Sequence, residues 1–237
     1  FLSKDDIHLG VKEDLKDTAR VLGRMFDAIA FRGFKQETVE TLANWSGVPV
    51  YNGLTDLYHP TQILADFLTI EESLGSLKGR KLVFVGDSRN NMANSLMIGS
   101  AKMGLHFVAC GPKSLHTDTA IVDKCREIAR TSGATIEVTE DIDLAVKNAD
   151  AIYTDVWASM GEEGKLQERI ALLKPFQVNR ELMERTGRSD AIFLHCLPAV
   201  KGNEVTEEVF ESPASRVFEE AENRKHTIKA VMIATLL

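Results

Sequence analysis

Apolar positions recur along the chain in two alternating rhythms. Over 14–25, Leu15, Ala19, Leu22 and Met25 fall at helical spacing, and 27–31 then reads as a short strand ending at Arg32-Gly33. A second helical stretch over 36–46 is closed by Gly47 and Pro49, and a strand over 48–51 runs into the turn residues Asn52-Gly53. A long helix is predicted from His59 to about Leu74, with Ile63, Leu64, Phe67 and Leu68 on its apolar face. Beyond a linker at 75–80 the cycle restarts. Strands are predicted over 81–85, 106–110, 135–138, 151–155 and 192–196, and helices over 92–102, 118–132, 142–148 and 221–237. Strands alternating with helices of this length predict βαβ units and an α/β fold of parallel sheets flanked by helices. The helix from His59 reads as a bridge between two such units.

The chain's 237 residues suffice for one large or two modest domains, and its 44% hydrophobic and 27% charged residues are those of a soluble globular protein. A net charge of -7 argues against a nucleic-acid or anionic-membrane surface, though an active site can still be locally basic. Cys110, Cys125 and Cys196 form no metal-ligand spacing. Their odd number points to free thiols in a reducing compartment, so a cytoplasmic location is expected. No apolar run approaches the roughly 20 residues of a membrane helix. The first residue is Phe1, in the strand-like phrase Phe1-Leu2-Ser3, so the chain reads as starting part-way into a domain.

Ligands of open α/β sheets bind at the carboxyl ends of strands, so the polar residues that follow strands are the candidates for chemistry. Arg32 alone is more often a solvated rim residue than a ligand. His59-Pro60-Thr61-Gln62 is either helix punctuation or a pair of neutral hydrogen-bonding groups, His59 and Gln62, at a positive helix end where an anion is welcome. Gly86-Asp87-Ser88-Arg89-Asn90-Asn91 lacks the second glycine of a dinucleotide fingerprint, which disfavours a nucleotide-dependent oxidoreductase. Its adjacent Asn residues suit an amino-acid backbone. Asp155 is either an N-cap or a site residue. Cys196 is either a core thiol or, between His195 and Pro198, part of a strand-end site. Glu222-Asn223-Arg224 is expected to open the last helix.

Taken together and in order, these groups resemble the aspartate/ornithine carbamoyltransferase family, and most closely its ornithine branch. The matching motifs are Lys16 through Leu22, His59-Pro60-Thr61-Gln62, Arg89-Asn90-Asn91-Met92, Asp155 with Ser159-Met160-Gly161, His195-Cys196-Leu197-Pro198-Ala199 and Glu222 through Thr227. The resemblance implies a carbamoyl-phosphate-binding domain over 1–74 and an ornithine-binding domain over 75–220. A C-terminal helix over 221–237 would return to the first domain. It implies transfer of a carbamoyl group from carbamoyl phosphate to the side-chain amine of L-ornithine, giving L-citrulline, in a trimer or a multiple of trimers.

Carried over by position, Arg32, His59 and Gln62 would contact the carbamoyl and phosphate oxygens, and Cys196, Leu197 and Arg224 would complete that pocket. Asn91, Asp155, Ser159 and Met160 would hold ornithine. His8 stands where ornithine enzymes often have Gln, in a loop reaching a neighbouring site, and would donate a hydrogen bond to carbamoyl phosphate there. The family's Ser-x-Arg-Thr phosphate loop does not occur in the sequence, which implies a substantial piece upstream of Phe1.

The reaction asks for three things: phosphate held, a carbonyl polarised, and a neutral amine delivered. Arg32 and Arg224 suit the first, and His59 with Arg32 the second. A partly desolvated pocket at Cys196 would favour the neutral amine, with no covalent role for the thiol. Asp155 suits the α-ammonium of ornithine, and Asn91 its α-carboxylate. No metal or organic cofactor is called for. The alternatives are a sister transferase acting on putrescine, aspartate or acetylornithine, and a non-catalytic paralogue.

Overall fold

The computed structural model describes residues 13–158 and 163–237. The first unit contains α1 (Leu15–Met25), β1 (Ile29–Arg32), α2 (Gln36–Ser46), β2 (Val50–Leu54) and α3 (Pro60–Leu74). β1 and β2 pair in parallel, with a register irregularity at Phe31/Arg32. α3 starts with Pro60 in its first turn, where a missing N–H costs nothing, and ends at Gly75 with φ 79°, a left-handed cap that glycine adopts without strain.

The second unit runs β3 (Lys81–Val85), α4 (Asn91–Met103), β4 (His106–Cys110), α5 (Thr119–Ser132), β5 (Thr135–Thr139), α6 (Ile142–Val146), β6 (Ala151–Tyr153), α7 (Leu166–Leu173), α8 (Arg180–Arg185), β7 (Ile192–Leu194), α9 (Glu207–Phe210) and α10 (Val217–Leu236). Its five strands form one parallel sheet in the order β5-β4-β3-β6-β7. The chain works outward from β3 to β5, then returns to the other side of β3. The strand order therefore reverses between β3 and β6, and in open sheets of this kind ligands bind at such a reversal, beyond the strands' carboxyl ends.

β3 and β4 read as continuous apolar runs because both faces of the sheet are covered. On one face Leu82, Phe84 and Phe107 pack with Met92, Leu96 and Met97 of α4 and with Ile63, Phe67 and Ile70 of α3. On the other, Val83, Val85, Val108 and Phe193 pack with Val146, Leu182, Phe210 and Val217. α3 thus belongs by chain to the first unit and by packing to both. A Cβ on Gly99 of α4 would lie 2.6 Å from the Phe67 ring, so the absence of a side chain sets how closely α3 and α4 approach.

α10 lies along α3. Asn223 Nδ2 donates to Thr69 Oγ1 at 3.0 Å and to Glu72 Oε2 at 2.8 Å. It begins at Val217, not at Ala221, so Glu222-Asn223-Arg224 sit inside the helix and do not open it. Glu219 and Glu220 in its first turn favour that earlier start, because negative charge stabilises a helix N-terminus. β6 and β7 stop two residues short of Asp155 and Cys196, which leaves both on the loops beyond the strand ends. β2 extends to Leu54, beyond the turn expected at Asn52-Gly53.

Candidate active site

Arg32 ends β1, and His59 and Gln62 open α3 at the carboxyl edge of the first unit's sheet. Arg224 reaches the same place from α10. Arg32 and Arg224 both act electrostatically on His59, and Arg224 acts also on Asp66 one turn after Gln62. His59 is buried, and its backbone N–H donates to Ser95 Oγ at 2.7 Å, tying α3 to α4. Burial, then the Arg224 and Arg32 charges, hold the imidazole down at about 3. At neutral pH His59 is therefore an uncharged ring that can donate one hydrogen bond.

Among the described residues, three buried side-chain atoms here meet no hydrogen-bond partner: His59 Nδ1, Gln62 Oε1 and Arg224 Nε. Gln62 departs from expectation. Its Nε2 donates to Asp66 Oδ1 at 2.9 Å and to Glu220 Oε1 at 3.0 Å, so both amide hydrogens are committed. It cannot offer a donor to a carbamoyl or phosphate oxygen. What remains is a carbonyl oxygen that accepts an N–H.

On the second unit, Asp155 follows β6 and Cys196 follows β7. Asp155 Oδ2 accepts from Asn90 Nδ2 at 3.0 Å, and Oδ1 accepts from the Val156 N–H at 2.8 Å and from Cys196 Sγ at 3.3 Å. Burial raises the Asp155 carboxyl, against the lowering effects of His195 and of the Val156 and Cys196 hydrogen bonds. Burial, then the Asp155 charge, raises the Cys196 thiol well above its usual range. Cys196 is thus a neutral donor.

Leu197 has φ 58°, rare for a residue with a side chain, and its N–H donates to His195 Nδ1 at 2.9 Å. That bond fixes the turn in which Cys196 and Leu197 stand. His195 Nε2 faces Glu204 Oε1 at 3.4 Å, both side chains fully buried. Asp155, His195 and Cys196 offer potential ligand atoms within 4.8 Å of one another. A metal would need the thiolate, whereas here the thiol proton is engaged with Asp155.

At the start of α4, Asn90 is the N-cap, its Oδ1 accepting from the Ala93 N–H at 2.8 Å. Its neighbour Asn91 donates from Nδ2 to the Thr55 carbonyl at 2.7 Å, a bond between the two units. Asn91 therefore has one amide N–H and its Oδ1 left for a ligand. His8, Ser159, Met160 and Gly161 lie outside the described residues.

Sequence reasoning overlooked Asp66, Tyr153 and Glu220, which are fully buried behind the site, and the part Asn90 plays on Asp155. The available signal was that Glu220 sits four residues before Arg224, on the same helix face.

The chain is similar to known proteins over its whole length. Residues 78–235 match the Asp/Orn-binding domain of the aspartate/ornithine carbamoyltransferases, and residues 1–72 match their carbamoyl-P-binding domain. The chain is 67% identical over all 237 residues to 76% of the ornithine carbamoyltransferase of Thermotoga petrophila. It is 57% identical to the catabolic ornithine carbamoyltransferase of Bacillus licheniformis, again over 100% of this chain and 76% of that one. The solved structure of the Pyrococcus furiosus ornithine carbamoyltransferase superposes with a TM-score of 0.93 at 46% identity, over 98% of this chain and 74% of that one.

Proposed function

The chain belongs to the aspartate/ornithine carbamoyltransferase family, and from that membership we infer that it moves the carbamoyl group of carbamoyl phosphate to the side-chain amine of L-ornithine, giving L-citrulline and phosphate. One observation carries the assignment of the donor substrate to the start of α3: the three buried atoms without partners. They comprise two nitrogens that can donate and one oxygen that can only accept. Carbamoyl phosphate has the complementary set, a carbonyl oxygen, phosphate oxygens and an –NH2. His59 faces the carbonyl, where negative charge develops in the transition state. Arg224 and Arg32 hold the phosphate as guanidinium forks. Gln62 Oε1 accepts from the –NH2. Cys196 and Leu197 line the same pocket from β7.

Ornithine enters from the second unit. Asp155 takes its α-ammonium, and the free N–H of Asn91 its α-carboxylate. The side-chain amine must attack uncharged, although its reference pKa is about 10.4. A part-buried pocket walled by a neutral thiol disfavours the ammonium form. The amine nitrogen bonds to the carbonyl carbon, the carbon–oxygen bond to phosphate breaks, and the departing phosphate accepts the proton the nitrogen loses. The active unit is a trimer or a multiple of one, and it works in the cytoplasm. No described helix is long and apolar enough to cross a membrane. The family resemblance supports the trimer, and light scattering of the purified protein tests it. The reaction is tested by His59→Gln in a citrulline assay, with a loss in kcat of about 10²–10³ expected for removing one transition-state donor.

A further inference from the structure

Glu220 is fully buried, although Glu219 and Glu222 on the same helix are exposed. Its Oε1 accepts from Gln62 Nε2 at 3.0 Å and from the Tyr153 hydroxyl at 3.1 Å, and its Oε2 accepts from the His195 N–H at 3.0 Å. One side chain on α10 thus holds the first turn of α3, the end of β6 and the end of β7. Asp66, also fully buried, lies close enough to Glu220 for the two carboxyls to act on each other, and it takes the second hydrogen of Gln62.

A glutamine amide can face either way, and its neighbours decide. Here two carboxyl groups stand on one side of Gln62, and a carboxylate oxygen accepts N–H but repels C=O. Two full charges cannot sit side by side in a dry interior, so the pair keeps one proton. Geometry puts it on Asp66: Glu220 accepts three hydrogen bonds, from Gln62, Tyr153 and the His195 N–H, whereas Asp66 accepts one, and burial raises both carboxyls. Asp66 Oδ2, which meets no N–H donor among the described residues, is the oxygen free to bear it.

We infer that Asp66 and Glu220 are positioning residues that fix the Gln62 amide with its carbonyl oxygen toward the substrate, and so make the site distinguish the –NH2 of carbamoyl phosphate from the –CH3 of an acyl phosphate. The inference rests on the reading that Gln62 lies in the carbamoyl phosphate site. Neither carboxyl touches substrate.

Initial-rate kinetics on the full-length enzyme give the KM for carbamoyl phosphate and the inhibition constants of acetyl phosphate and inorganic phosphate. In Glu220→Gln the preference for carbamoyl phosphate over acetyl phosphate falls about tenfold, the worth of one hydrogen bond, while phosphate inhibition stays at the parent's value. Asp66→Ala loses the preference in the same way. Asp66→Asn restores it, because an asparagine amide reproduces the donor and acceptor of the un-ionised acid. Both Glu220→Gln and Asp66→Asn preserve shape, so their comparison survives a failure of the alanine variant to fold. The inference is overturned if Glu220→Gln keeps the preference, or if Asp66→Asn loses it. Gln62→Ala separates the two levels: if it leaves the preference intact, the placement of Gln62 in the site is itself wrong.

Discussion

The thiol of Cys196 donates to Asp155 Oδ1 across 3.3 Å, joining the loop after β7 to the loop after β6. Burial keeps that thiol protonated well above the ordinary range, with the Asp155 charge as the next cause. A reactive thiolate needs the opposite surroundings. At pH 8 Cys196 should therefore react with iodoacetamide more slowly than free cysteine. Mass-spectrometric mapping of the alkylated sites checks this; Cys196 labelling faster than free cysteine would contradict it.

Asp155→Asn separates the two substrates. The carboxylate is anchored by Asn90, the Val156 N–H and Cys196, so its direction is set before ornithine arrives. A charge-assisted bond is worth roughly 1.5–3 kcal/mol. The variant should raise the KM for ornithine about 10-fold or more and leave that for carbamoyl phosphate within a few-fold. Equal changes in both constants would count against Asp155 as an ornithine ligand.

Protonation of His59 gives a pH signature with a definite sign. Its pKa is lowered from 6.5 to about 3, so the folded state refuses a proton that the unfolded state accepts. Its contribution to stability is complete above pH 6.5 and is lost as pH falls toward about 3. The His59 ring resonance in an NMR titration should stay in its neutral form at pH 5, and His59→Gln should lessen the acid sensitivity of the melting temperature. A ring that titrates near 6.5 would remove the neutral-donor role.

The packing of α3 against α4 has its own test. A methyl group on Gly99 would meet Phe67 at 2.6 Å and Ile63 at 2.7 Å. Gly99→Ala should destabilise by about 1–3 kcal/mol, the usual cost of overpacking, despite alanine's better helix propensity. A melting temperature equal to or above the parent's would show that the two helices have room to part.

Binding order follows from where the ligands sit. The groups assigned to carbamoyl phosphate come from α3, the end of β1 and α10, with Cys196 and Leu197 beyond β7, whereas those assigned to ornithine all lie on the second unit. Carbamoyl phosphate should bind the free enzyme and complete the ornithine site. Calorimetric titration with ornithine should give tight binding only when a carbamoyl phosphate analogue is present; tight binding of ornithine alone would reverse the order.

Much of this was legible in the sequence, and the losses have physical reasons. β3 and β4 are buried on both faces, so their apolar runs are unambiguous. α7, α8 and α9 have at most 8 residues each, too short for a period to declare itself. The start of α10 was missed because Glu219 and Glu220 look like a solvated pair, whereas one is exposed and the other sealed. His59, Gln62, Asp155 and Cys196 stood out because each follows a strand or opens a helix. What the sequence could not tell is which atoms of those residues remain free. The commitment of the Gln62 hydrogens depends on Glu220, 158 positions away in the chain.

The most direct test of the central claim is the choice of acceptor. Purified full-length enzyme is supplied with carbamoyl phosphate and, in separate reactions at equal concentration, with L-ornithine, putrescine, L-aspartate or N-acetyl-L-ornithine. Carbamoylated product and phosphate are quantified over time. An acceptor site built around an α-ammonium clamp at Asp155 and a carboxylate donor at Asn91 predicts kcat/KM for L-ornithine at least about 10²-fold above putrescine, which lacks the carboxylate that Asn91 is assigned to hold. Carbamoylputrescine formed as readily as citrulline, or no citrulline from enzyme that binds both substrates, would contradict it.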